Sequence, residues 1–101
     1  MAKPVLLTPI TKDDLENVLT YLFENWSKNV LENFLALYET KISIISYHPD
    51  RYPIIHQQSG LRKAVLTKHN IILYREKPEH IEIISIYDTR QDPVKLNKLI
   101  D

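Results

Sequence analysis

The residues most able to do chemistry are basic side chains set around two apolar runs in RKAVLTKHNIILYRE, residues 62–76. They are Arg62, Lys63, Lys68, His69 and Arg75. Several positive groups that converge on one phosphate, beside a group that moves a proton, could cleave RNA. The same charges spread over a surface would instead bind an anionic partner. Adjacent strand residues point to opposite faces, so only one of Arg62 and Lys63 can serve a given face.

Other reactive chemistry is poorly supported by the residue types present. The four histidines, at 48, 56, 69 and 80, lack the paired spacing of metal ligands, so no metal site is predicted. Histidine side chains can transfer protons near neutral pH, so His69 is a candidate acid–base group. A histidine at a turn can equally be a structural residue. Cysteine is absent and Gly60 is the one glycine, which excludes disulfides, thiol catalysis and glycine-rich phosphate loops. We expect no cofactor.

Length and charge indicate one small domain with a polarised surface. The 101 residues predict a single domain over 1–101, with its function on the surface or in a shallow groove. Residues 1–50 carry 4 Lys and Arg against 7 Asp and Glu, whereas residues 51–101 carry 9 against 6. Such a split could place a basic face opposite an acidic one. The N-terminal apolar run is too short for a signal peptide or a membrane span, so a cytoplasmic protein is expected.

The N-terminal half predicts a strand followed by a helical hairpin. PVLLTPI reads as an edge strand because prolines bracket it. Thr11 is the expected cap of a first helix that ends near Asn25, with acidic residues in its first turn and an apolar stripe that includes Phe23. Ser27 is the expected cap of a second helix extending towards Ser46. With so short a connection the helices should be antiparallel, and Tyr21 and Trp26 should pack at their junction.

The C-terminal half predicts a β-meander. Residues 47–60 are expected to form a loop, and three strands then follow, joined by turns at KH and EKPEH. A turn at Asp92-Pro93 precedes one helical turn or a loose tail. The predicted fold is α+β, an N-terminal edge strand and an antiparallel α-helical hairpin packed on one face of a small twisted antiparallel sheet of four strands. The other face of that sheet is expected to be uncovered.

The order of these elements, together with several short motifs, resembles the RelE/ParE superfamily of toxins from type II toxin–antitoxin modules. The motifs are LTPITKDDLENVLTYLFENWS, HPDRYP, GLRKAVLTKHNIILYRE and IEIISIYDTRQDP. They cover most of the chain, and their rhythm is more similar to ParE than to RelE.

The resemblance implies two candidate targets and one partner. A ParE-like toxin would inhibit DNA gyrase by protein binding, whereas a RelE-like toxin would cut mRNA on the ribosome. In both cases a cognate antitoxin would neutralise the toxin, and either a homodimer or a toxin–antitoxin hetero-oligomer is compatible with the resemblance. A non-toxic protein that keeps the fold and binds only its partner is a third hypothesis.

Residue by residue, the resemblance favours binding over cleavage. Lys63 and Arg90 fall near basic positions of ribonuclease members, and His69 would complete the nuclease set. His69-Asn70 stands where an aromatic and an arginine are usual, however, and VKLNKLID has no counterpart of the C-terminal tyrosine of some nucleases. The expected binding residues are therefore Arg62, Lys63, His69, Arg75 and Arg90, with Lys63, His69 and Arg90 as the catalytic set if the chain is a nuclease.

Overall fold

The computed structural model describes residues 2–91 and 93–100. Its elements are β1 (Val5–Leu7), α1 (Pro9–Asn25), α2 (Lys28–Tyr47), β2 (Ile54–His56), β3 (Leu61–Val65), β4 (Asn70–Glu76), β5 (Ile81–Asp88) and α3 (Pro93–Ile100). The five strands form one sheet in the order β1-β5-β4-β3-β2. The predicted α+β class, edge strand, helical hairpin and three-stranded meander are confirmed. The sheet is mixed rather than wholly antiparallel, because β1 runs parallel to β5.

Helix α1 begins earlier than its sequence pattern indicated. Thr8 is the N-cap, and its side chain accepts a hydrogen bond from the Thr11 amide at 3.2 Å. The prediction that Thr11 caps the helix is therefore wrong, because Pro9 is already helical and proline is well tolerated at the first helical position. Asp13 and Asp14 consequently lie beyond the first turn. The predicted end at Asn25 and the Ser27 cap of α2 are both found.

The main core lies between the helical hairpin and one sheet face. Phe34 and Ile45 of α2 are buried there, and most of the other buried members of this cluster come from the sheet. Phe23 is 76% exposed, so its predicted place in the core stripe is wrong. A sheet of short strands presents too narrow a face to cover every apolar residue of helices this long. The hairpin therefore keeps apolar surface that the core does not use.

Two elements differ from the prediction. The segment 54–56 was expected to be loop, yet β2 pairs with β3 there, and Gly60 adopts the positive φ of 71° that lets the chain turn between them. Helix α3 is longer than the single turn expected. Its Leu96 and Leu99 pack on a second buried cluster, formed by Leu61, Ile71, Leu73, Ile84 and Tyr87. The expectation of an uncovered sheet face is thus wrong. The predicted turn at Asp92-Pro93 includes Asp92, which lies outside the described residues.

Candidate partner-binding cleft

A cleft of about 840 Å³ separates the connected end of the α1–α2 hairpin from the end of the sheet that carries the β3–β4 turn. We call it the hairpin–sheet cleft. Its apolar lining is Val18, Tyr21, Leu22, Trp26, Val30, Phe34, Leu37 and Ile86. Its polar lining is Asp14, Asn17, Asn33, Thr67, His69, Asn70, Asp88, Arg90 and Gln91. A concave surface that combines apolar side chains with polar groups is typical of a binding site.

The helical wall of the cleft carries apolar side chains that the fold leaves in solvent. Tyr21, Trp26 and Leu37 are each half or more exposed. The prediction that Tyr21 and Trp26 pack at the helix junction is therefore wrong. Large contiguous apolar patches are rare on the surface of soluble monomers and usually mark interaction sites. The wall is suited to an apolar partner.

Asp14 joins the helix to the sheet at the inner end of the cleft. Its Oδ2 accepts a hydrogen bond from the Ser85 hydroxyl at 2.7 Å and another from the Ile86 amide at 3.1 Å. Ser85 is buried, so this hydroxyl needs a partner within the protein. The carboxylate thus holds α1 against β5 and sets where the cleft begins.

An exposed ion pair lies at the mouth of the cleft. The Arg90 side chain donates from Nε to Asp88 Oδ1 at 3.0 Å and from an Nη to Oδ2 at 2.8 Å, and the Arg90 amide also bonds Oδ1. These hydrogen bonds from Arg90 hold the pKa of Asp88 below its usual range. This fork-to-fork pair uses the edge of the guanidinium formed by Nε and one Nη, and it partly neutralises the positive charge of Arg90.

His69 is placed by the β3–β4 turn. The Thr67 hydroxyl oxygen accepts hydrogen bonds from the amides of His69 and Asn70 and from the Asn70 side chain, at 2.9 to 3.3 Å. The Thr89 amide then bonds the His69 carbonyl, which ties the turn to the end of β5. The structure therefore brings His69 and Arg90 to the same cleft, as the nuclease hypothesis requires of those two residues.

The remaining basic residues of the predicted set lie elsewhere. Lys63 pairs with Leu73 and lies on the α3 side of the sheet, where it borders a second, shallow depression. Arg75 follows Leu73 by two positions and shares that face. Its Nε is buried without a hydrogen-bond partner. Arg62 points to the opposite face and donates to the carbonyl of Tyr52, so it anchors the loop before β2.

Within residues 2–91 and 93–100, no group of three or more His, Asp or Glu side chains could hold a metal ion. None of the helices in this part of the chain is both long enough and apolar enough to cross a membrane.

Comparison with known proteins gives a structural match and no sequence match. No protein-family model matches the chain, and no curated protein matches it. Among solved structures, a chain of the chromosomal ParDE TA system from P. aeruginosa superposes with a TM-score of 0.72 at 12% identity. The alignment covers 88% of this chain and 98% of that one. This chain has a ParE-like fold.

The cleft of this ParE-like fold is built largely from residues that the sequence did not single out. Asp14 was expected only as one of the acidic residues in the first turn of the first helix, and Leu37 only as part of the second helix. The sequence nevertheless indicated such a surface, because the apolar stripes of both helices are wider than the small core of this fold can cover. Surplus apolar residues such as Tyr21, Trp26 and Leu37 could have been assigned to a partner rather than to the interior.

Proposed function

We propose that this chain is the toxin of a type II toxin–antitoxin module, that it inhibits DNA gyrase by binding it, and that a cognate antitoxin neutralises it in the cytoplasm. The ParE-like fold and the sequence motifs support the class. The observation that carries the proposal is the apolar wall of the hairpin–sheet cleft, which suits a protein partner. The exposed Tyr21 and Trp26 are residue types that often anchor protein interfaces.

The dispersal of the basic residues supports binding rather than cleavage. A phosphoryl-transfer site needs its positive groups around one phosphate. His69 and Arg90 share the cleft, but Lys63 lies on the other face of the sheet. Arg90 is moreover engaged by Asp88. A RelE-like endoribonuclease would have to work with His69 and a partly neutralised arginine alone.

We assign the antitoxin and the target to opposite faces of the sheet. We assign the antitoxin to the hairpin–sheet cleft, where the apolar surface lies. Lys63 and Arg75, on the α3 face, are the basic residues that this arrangement leaves for the target. The toxin is then expected in a hetero-oligomer with its antitoxin until the antitoxin is lost.

The decisive experiment is controlled induction of the chain in cells, followed by measurement of plasmid supercoiling and of mRNA integrity in the same culture. Gyrase inhibition predicts relaxed plasmid with intact mRNA. Cleavage of mRNA at ribosomal A sites would overturn the proposal in favour of the endoribonuclease. Growth without either effect would favour a non-toxic partner-binding protein.

A pair of charge reversals tests the assigned surface. Lys63→Glu should weaken inhibition of purified gyrase, because it places a negative charge on the proposed contact face. Lys28→Glu is the matched control, since Lys28 is an exposed lysine of α2 that makes only a long contact of 3.7 Å with Glu32. Equal inhibition by the two variants would contradict the assignment of this face, while inhibition by the parent chain would still support the class.

A further inference from the structure

Two cations on the α3 side of the sheet have no anionic partner within the fold. The side chains of Lys63 and Arg75 form neither an ion pair nor a hydrogen bond with any group in residues 2–91 and 93–100. Both side chains are half-buried, and Arg75 Nε is completely so. Because buried donors in proteins are nearly always hydrogen-bonded, this guanidinium needs a partner from outside the fold.

The strand register brings these two cations next to each other. Lys63 of β3 lies opposite Leu73 of β4, and Arg75 follows Leu73 by two positions on the same face. Diagonal neighbours of this kind on adjacent antiparallel strands are about 7–8 Å apart, which is within the reach of two long side chains. One acceptor group can therefore contact the Lys63 ammonium and the Arg75 guanidinium at the same time.

One carboxylate of the sheet, that of Glu82, lies beside this pair of cations. Glu82 of β5 is the cross-strand neighbour of Arg75 and shares its face. It nevertheless forms no ion pair with either cation in the part of the chain that the structure describes. Two positive charges beside one negative charge still attract an outside anion. Glu82 lowers that attraction without satisfying the Arg75 donors, so it acts as an internal competitor.

Exposed apolar side chains flank the charged residues and indicate a protein partner. Leu6 lies beside Glu82 on β1 and is 53% exposed, and Ile55 of β2 is 37% exposed. Ile55 also lines, with Lys63 and Leu96, the shallow depression of about 340 Å³ on this face. A nucleic acid is bound through many phosphate contacts and needs a longer row of cations. A protein segment supplies both a carboxylate and the apolar neighbours that suit these flanks.

We propose that DNA gyrase presents an aspartate or glutamate to this face, and that its carboxylate bridges the Lys63 ammonium and the Arg75 guanidinium. The guanidinium provides a fork of N–H donors that matches a carboxylate, whereas the lysine adds a single compact charge. The inference rests on the proposed function, because it takes gyrase as the occupant. It goes further in naming the chemical group of the target and the two side chains that receive it.

A carbodiimide cross-link tests the proposal on the parent chain. This reagent joins a lysine amine to a carboxylate in direct contact, forming an amide with the loss of one water molecule. The purified chain and purified gyrase are mixed without DNA, cross-linked, digested and analysed by mass spectrometry. We expect a peptide in which Lys63 is joined to an aspartate or glutamate of gyrase. Lys28 is the internal control, since it is an exposed lysine of α2 and should not be joined to gyrase.

The other outcomes separate this inference from the proposed function. If the chain and gyrase do not associate, with or without DNA, the proposed function fails and the inference fails with it. Association in which the cross-links to gyrase avoid Lys63 would overturn the inference alone. If association requires DNA and Lys63 is not joined to gyrase, a DNA phosphate is the occupant, and the assignment to a carboxylate is wrong.

Affinity for gyrase, measured by surface plasmon resonance, tests the roles of Arg75 and Glu82. Arg75→Gln should weaken binding about tenfold, because it removes the charged donors of the bridge. Glu82→Gln removes the internal competitor and should strengthen binding about threefold. Glu79→Gln is its matched control, an equal charge change at an exposed carboxylate of the β4–β5 turn.

Unchanged affinity of a folded Arg75→Gln variant would contradict the bridge. Equal affinities of Glu82→Gln and Glu79→Gln would contradict the competition by Glu82. If Arg75→Gln does not fold, the cross-link in the parent complex decides alone.

Discussion

Replacing Asp14 by alanine tests the bond that joins α1 to the sheet at the inner end of the cleft. The change removes the acceptor of the Ser85 hydroxyl and of the Ile86 amide. Asp13→Ala is the matched control, because Asp13 is the neighbouring carboxylate of the same helix but is exposed. The two changes alter the net charge equally, so their difference isolates the bonds that Asp14 makes.

The expected magnitude follows from these contacts. Hydrogen bonds to a charged group contribute roughly 1.5–3 kcal/mol each, and a buried donor left without a partner costs about 1–3 kcal/mol. Ser85 and Ile86 are both 3% exposed, but Ile86 lines the cleft, where water can take the place of the removed carboxylate and bond its amide. We therefore expect Asp14→Ala to lower the free energy of unfolding by about 3 kcal/mol, and Asp13→Ala by less than about 0.5 kcal/mol.

Urea denaturation followed by far-ultraviolet circular dichroism measures both changes. A double-mutant cycle with Ser85→Ala should give a coupling energy of about 1–2 kcal/mol, since the two side chains share one short hydrogen bond. The reasoning fails if Asp14→Ala and Asp13→Ala destabilise equally, or if the coupling energy is close to zero.

Three further predictions concern other parts of the fold. Burial raises the pKa of Tyr74 to about 12, so the folded state holds this proton more tightly than the unfolded chain, whose tyrosine pKa is about 10. The contribution of Tyr74 to the free energy of unfolding is therefore fully present below the pKa of the unfolded chain and is lost as pH rises towards the pKa of the folded state. Relative to Tyr74→Phe, the free energy of unfolding of the parent should fall by about 1.4 kcal/mol by about pH 11. A difference between the two proteins that stays constant with pH would contradict this. Thr8→Ala should cost about 1–2 kcal/mol in thermal or urea unfolding because it removes the α1 cap; a cost below that of the exposed cap variant Ser27→Ala would contradict it. Leu37→Ala should weaken antitoxin binding in calorimetry by about tenfold, whereas Phe23→Ala, equally apolar but outside the cleft, should not; equal effects would exclude the cleft as the docking site.

The meander was predictable because its signals are local. β3, β4 and β5 alternate or run apolar over lengths typical of strands, and turn residues separate them. The short β2 was missed because a strand of three residues between Pro53 and Gly60 has no period to detect. Its pairing with β3 depends on contacts that only the folded chain provides.

The limits of helix α1 show the same contrast on a finer scale. Its end near Asn25 was predicted, but its start was placed too late. Both Thr8 and Thr11 are acceptable caps by residue type. Thr11 is instead fully buried, and its hydroxyl donates to the Ile83 carbonyl, a partner 72 residues away. Sequence alone cannot weigh such a distant acceptor against the local alternative.

The motifs of the sequence resemble ParE more than RelE. By itself the sequence determined the α+β class, the helical hairpin and the meander. These depend on side-chain period and residue type, which are properties of neighbouring positions. Only the tertiary structure decided that Lys63 lies across the sheet from His69 and Arg90, that α3 covers the second face, and that the edge of β5 borders an apolar cleft. Register and the divergence of α1 from the sheet set these relations, and both result from contacts between residues far apart in the chain.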